Sequence, residues 1–298
     1  MEQEAAGRRP SGHPPRQPVR QPGPAARVRV ESAAGRLRTA RFLAAPGPTL
    51  VGAMAGPLAA AGIRGGAVDL AGLRLRPFAY VMPAPSPDAH HAAYYSETFR
   101  VADGVTVEQG TATFGSRDGA PFLHAHALWR DAAGRAGAGH ILPLDTGLAA
   151  PGTVSAWGVA EAGMRALPDP ETNFTLFHPV PDGDAATEGD GVLGRLRPGV
   201  DLVEGIEALC RRHGAARATV RSGIGSLVGA AFEDGRRVET VPTEFLVRHG
   251  RVAPDGRGAP RAAIEIVLVD EAGGIHAGRP LRGGNPVLIC AEIVLTLG

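Results

Sequence analysis

A short segment near the C-terminus repeats one in the middle of the chain, and this duplication constrains the fold more than any other feature. Residues 270–279 align with residues 131–140 at an offset of 139. Asp270 matches Asp131, Gly273 matches Gly134 and Gly278 matches Gly139. What is kept is turn chemistry, a glycine where a short hairpin loop wants a positive φ. The repeat continues upstream. Pro198 and Gly199 lead into a segment punctuated as a helix, with Asp201 as cap, Glu204 three residues on, and Gly214 after basic residues. Leu202, Ile206 and Leu209 form its apolar stripe. Pro46 and Gly47 lead likewise into residues 50–61, with Thr49 as cap and Gly62 as stop, here at an offset of 152. The two offsets, 152 against 139, place thirteen extra residues in the first copy, in or near 80–99.

Repeats of this length are duplicated domains rather than solenoid units, and 298 residues suffice for two ordinary cores. The composition divides the chain into an Arg/Pro-rich tail at 1–26, expected to be disordered, a first domain at 27–180, an acidic glycine-rich linker at 181–190 and a second domain at 191–298. Apart from the two helices, the remaining segments are mostly strand-like. The expected class is α+β: two repeated domains, each a mostly antiparallel sheet packed with a helix. Gly223 and Gly225 lack the third glycine and the following helix of a nucleotide loop, so they are expected at a tight turn.

The first hairpin carries histidines. His124 and His126 are two apart, so on a strand both side chains leave the same face. If Asp131 pairs with Arg135 around Ala132, Ala133 and Gly134, His126 stands opposite His140 on that face. A slip of one residue would turn His140 away. Three imidazoles converging from a hairpin suit a divalent metal, zinc first among them. A histidine on a half-buried strand is also often only hydrogen-bonded or solvated. In the second copy the three positions hold Ala263, Glu265 and Arg279, a strand pair able to form a salt bridge instead. His276 falls where Gly137 does and does not restore the set.

Composition limits the partners. With 31 basic against 30 acidic residues, the net charge of +1 leaves no global nucleic-acid footprint. The arginines of the tail lie among prolines, as in arms that enter a narrow minor groove, but without the Arg-Gly-Arg-Pro core of an AT-hook. The N-terminus opens polar and charged, unlike a signal peptide, and the apolar run from Leu50 to Leu75 is broken by Pro57 and glycines, so no membrane span is expected. Cys210 and Cys290 read as small buried apolar residues in a reducing compartment, and the expected location is cytoplasmic.

Several of these segments together resemble the plants-and-prokaryotes conserved (PPC) domain. The matching features are the Pro-Gly-x-Asp-Leu-Val-Glu helix start at 198–204, Val-Arg-Ser-Gly-Ile-Gly-Ser-Leu at 220–227, and the histidine hairpin at 122–126 with Gly137 to His140. The closing Ala-Glu-Ile-Val at 291–294 and Pro-Asp-Pro-Glu-Thr-Asn-Phe at 168–174 also match, the latter resembling the tail that follows the last strand in bacterial members. The resemblance implies compact α+β domains that assemble as trimers, and a metal held by His124, His126 and His140. It also implies association with DNA, since plant members accompany AT-hooks and bacterial ones are commonly described as candidate DNA-binding proteins.

Two function classes follow. One is an oligomeric metal- or ligand-binding module with a DNA-associated or regulatory role. The other is a metal-dependent enzyme, of hydrolase or lyase type, acting on a small molecule. For the second, the extra residues of the first copy offer His90, His91, Tyr94, Tyr95 and Glu97 as proton-transfer groups. The same residues also suit a solvated surface loop.

Overall fold

The computed structural model describes residues 19–182 and 189–298, so most of the 1–26 tail and the centre of the 181–190 linker lie outside the described residues. The chain builds two large sheets with the same strand order. In the second, strands Gly191–Leu196, Val287–Leu297, Ala218–Leu227, Thr243–Pro254, Pro260–Asp270 and Ile275–Gly278 follow one another, all antiparallel. In the first, the order is Leu37–Ala44, Gly152–Val159, Gly66–Asp69, Val105–Arg117, Ala120–Asp131 and Ala136–Ile141. A helix follows the first strand of each set, Leu50–Ala60 in one and Leu202–Arg212 in the other. The duplicated α+β architecture is therefore present as six strands and a helix that recur in the same order.

Local signals account for much of this. Asp201 accepts from the backbone N–H groups of Val203 and Glu204, and Thr49 accepts from Gly52, so both helices start where their caps stand. Gly62 and Gly214 take φ of +67° and +64° just past the helix ends, a conformation that a side chain would penalise. The apolar stripe of Leu202, Ile206 and Leu209 is wholly buried against the second sheet. Each such leucine, fully withdrawn from water, stabilises the fold by about 2 kcal/mol.

The structure departs from the sequence reading at four places. The strand Val30–Gly35, inside the segment assigned to the first domain, pairs with Gly191–Leu196 and extends the second sheet. Only Arg36 separates it from Leu37–Ala44 of the first sheet, so the chain crosses between the two sheets within one residue. Residues 19–26, read as part of the tail, run against the fold: Gln21 donates to the Leu288 carbonyl at 2.8 Å and Gly23 N–H to the Glu171 carbonyl at 3.0 Å. Gly223 and Gly225 lie inside a strand rather than at a turn, and a Cβ on Gly225 would sit 2.1 Å from the Cys290 carbonyl oxygen of the neighbouring strand. Lastly, Glu265 pairs with Arg248 at 2.8 Å and not with Arg279.

The two halves are joined by a core of their own. Met164, Phe177 and Val159 from one side meet Leu193 and Val294 from the other. Beside it lies a buried charge network. Asp169, in the turn between strands Ala162–Pro168 and Thr175–Pro181, meets Arg195 at 2.5 Å and Arg197 at 2.8 Å. Glu171 pairs with Arg29 and Arg197. Burial alone would raise the Asp169 carboxyl, but the two guanidinium groups outweigh it and hold it at about 2. Among the described residues, no helix is long and apolar enough to cross a membrane.

Candidate metal centre between the two repeats

Strands Ala120–Asp131 and Ala136–Ile141 form the first-repeat hairpin, with Asp131 N–H donating to the Arg135 carbonyl at 3.0 Å and Gly134 at φ +78°. That loop sets the register, and His126 stands opposite His140. His124 projects from the same face, and one ligand atom from each of the three rings lies within 4.8 Å of the others. The hairpin also pairs on its far side with Val105–Arg117, which makes the histidine strand an interior strand of the sheet and holds it rigidly.

The second repeat closes this site. Strands Thr243–Pro254 and Val287–Leu297 bring Glu244 and Glu292 against the histidines, and both carboxylates are buried. Glu292 lies 2.9 Å from His124 Nδ1. The Phe245 carbonyl lies 2.9 Å from His126 Nδ1. A carbonyl oxygen can only accept, so His126 Nδ1 carries the proton and, in this neutral ring, Nε2 keeps its lone pair; the Glu292 carboxylate orients His124 alike, with its Nε2 turned into the site. Those two Nε2 atoms are 3.1 Å apart and face each other. Glu244 Oε1 sits 3.9 Å from both His126 Nε2 and His140 Nδ1.

The electrostatics follow from burial. His126 is pushed down to about 3 by burial, with His124 beside it adding to the effect. Burial, then the neighbouring His124 and His126, hold His140 well below the ordinary imidazole range. Both rings are therefore neutral at physiological pH, the form that binds metals. Burial also lowers His124, but the Glu292 carboxylate outweighs it and raises this ring. Burial pushes the Glu244 carboxyl up to about 8, opposed by His124. Three polar atoms in this cluster, His140 Nδ1, Glu244 Oε2 and Glu292 Oε2, are buried without a hydrogen-bond partner. Unpaired polar atoms around converging imidazole nitrogens are the surroundings that a cation would satisfy.

The extra loop of the first repeat does not deliver all of its sequence candidates here. Tyr95 packs edge-on against the His140 ring at 5.0 Å, and His91 packs on Tyr94 and Phe174. His90 and Glu97 are exposed and border neither hollow beside the histidines. Sequence reasoning missed Glu244 and Glu292 as site residues. One signal was present: Glu292 is the only charge in the otherwise apolar strand Val287–Leu297, and a carboxylate there needs a partner.

Residues 183–297 match the family model of the Plants and Prokaryotes Conserved (PCC) domain, the family also abbreviated PPC. The match covers the second repeat. The first repeat shares its strand order and helix position, so the site lies between the matched segment and its internal copy. A metal-containing protein from Archaeoglobus fulgidus aligns at 16% identity over 49% of this chain and 96% of its own, with a TM-score of 0.36. A PPC protein from Pyrococcus horikoshii aligns at 21% identity over 39% and 83%, with a TM-score of 0.28. A candidate DNA-binding protein from Ralstonia eutropha aligns at 17% identity over 46% and 88%, with a TM-score of 0.32. No curated protein matches the sequence.

Proposed function

We infer that the chain is a metal-binding protein whose divalent ion, zinc by the chemistry of an all-imidazole set, is held by His124, His126 and His140. The observation that carries this reading is the pair of Nε2 atoms aimed at each other at 3.1 Å, each ring oriented through its other nitrogen by the second repeat. Three protein ligands leave a coordination position open, and an ion there supplies Lewis acidity to a bound small molecule. Glu244, 3.9 Å from two of the rings and with its carboxyl pushed up by burial, is placed to exchange a proton beside that position. A small-molecule binding or catalytic site is thus the reading that the geometry supports best.

The test is metal content. Purified protein should carry about one zinc ion per chain, and His124→Ala should lose nearly all of it. Changing Glu265 in the degraded copy should leave the content intact. Two ions per chain, or none after zinc supplementation, would sink the reading.

Assembly as a homo-oligomer, three copies by resemblance, and a cytoplasmic location compatible with two buried free cysteines belong to the same proposal. DNA association, if it resides in the tail arginines, should vanish when residues 1–18 are removed and weaken steeply with salt. Retention of duplex binding after that deletion would move the interface to the folded surface.

A further inference from the structure

The second repeat and the extra loop of the first do more than close the histidine site; they give it walls of one chemical kind. The hollow facing His124, His126 and Glu244 is bordered by Tyr95 and Phe174 on one side and by Leu288 and Ile289 on the other. Among its described lining residues there is no lysine or arginine, and its only carboxyl is that of Glu244. The wall is a continuous aromatic layer. Phe174 lies 4.6 Å from the His91 ring and 5.9 Å, stacked, from Tyr94, and Tyr95 continues the layer to His140. A second hollow on the far side of His124 and Tyr95 has one cation at its border, Arg117, which is half exposed and lies over the Phe122 ring.

An anionic ligand entering the first hollow would be desolvated with no guanidinium or ammonium to receive it, and it would meet the Glu292 carboxylate behind His124. A neutral ligand with an aromatic or branched hydrocarbon body has only its donor group to desolvate and gains stacking and apolar contact. We propose that the histidine site takes a neutral, largely apolar or aromatic small molecule, which offers a single nitrogen or oxygen donor to the ion while Tyr95 packs against its body. This rests on the metal reading above and gives the extra loop a role as the specificity wall of the site.

Two neutral probes with one donor group separate the two claims. Full-length protein loaded with cobalt(II) is titrated with imidazole and with 4-phenylimidazole, following the visible absorption of the cobalt. The phenyl compound should bind about tenfold more tightly than imidazole. Tyr95→Ala should remove most of that ratio, and Tyr95→Phe should keep it. Phosphate and acetate should leave the spectrum unchanged at millimolar concentration. Cobalt uptake with equal affinities for the two imidazoles, a ratio untouched by Tyr95→Ala, or tighter binding of phosphate would overturn the inference and leave the metal reading standing. Failure to take up cobalt at all would overturn the metal reading itself, and this inference with it.

Discussion

His124 depends on Glu292 in a way that a substitution can measure. The carboxylate lies 2.9 Å from Nδ1, orients the ring and raises its basicity, so it acts on the ion through the imidazole rather than by direct contact. Glu292→Gln keeps the shape and removes the charge. Its zinc affinity, read by competition with a chromophoric chelator, should fall about tenfold with the protein still folded. An unchanged affinity would make the contact incidental, and total loss of binding would make Glu292 a ligand. His126 has no such carboxylate; its Nδ1 proton goes to the Phe245 carbonyl, a backbone group that no side-chain substitution removes.

The two helices are capped by different residues with different loads. Thr49 accepts one N–H, from Gly52 at 3.0 Å. Asp201 accepts from Val203 and Glu204 with one oxygen and from Asn285 N–H at 2.8 Å with the other, tying the helix to the loop before the closing strand. Thr49→Ala should therefore cost about 1 kcal/mol of stability. Asp201→Ala should cost about 2 kcal/mol, because a buried backbone donor is also left unpaired. Urea unfolding of the two variants checks the order, and equal losses would show that the Asn285 bond contributes nothing. The Glu204 side chain does not complete a capping box; it pairs with Arg282 at 2.8 Å, so the helix start is tied to the same loop twice.

Across the whole molecule, the turn holding Asp169 fastens the first repeat to the second. Asp169 and Arg195 are both fully buried, and removing one partner of such a pair leaves an uncompensated charge that costs about 3 kcal/mol or more. Asp169→Asn should be destabilised by that amount near neutral pH. The Asp169 carboxyl is depressed from 3.8 to about 2 in the folded protein, so its contribution is complete above the unfolded value and is lost as pH falls through the folded one. The gap between the native protein and Asp169→Asn should accordingly close as the pH is lowered from 4 toward 2. A gap that stayed constant over this range would assign the loss to shape rather than charge.

Short-range patterns determined the repeat, the helix starts and stops and the hairpin register that sets His126 against His140. Each is encoded by turn glycines, caps and alternation within a dozen or so residues, where backbone sterics leave few options. The strand exchange at Val30–Gly35, the packing of residues 19–26 and the arrival of Glu244 and Glu292 beside the histidines were not legible in the same way. These depend on which apolar faces meet when two sheets pack, and that is settled by burial summed over both repeats rather than by any local spacing. The histidines could be grouped from sequence because one hairpin carries all three. The carboxylates and the aromatic wall that complete the site come from other strands and loops, and tertiary packing alone brought them there.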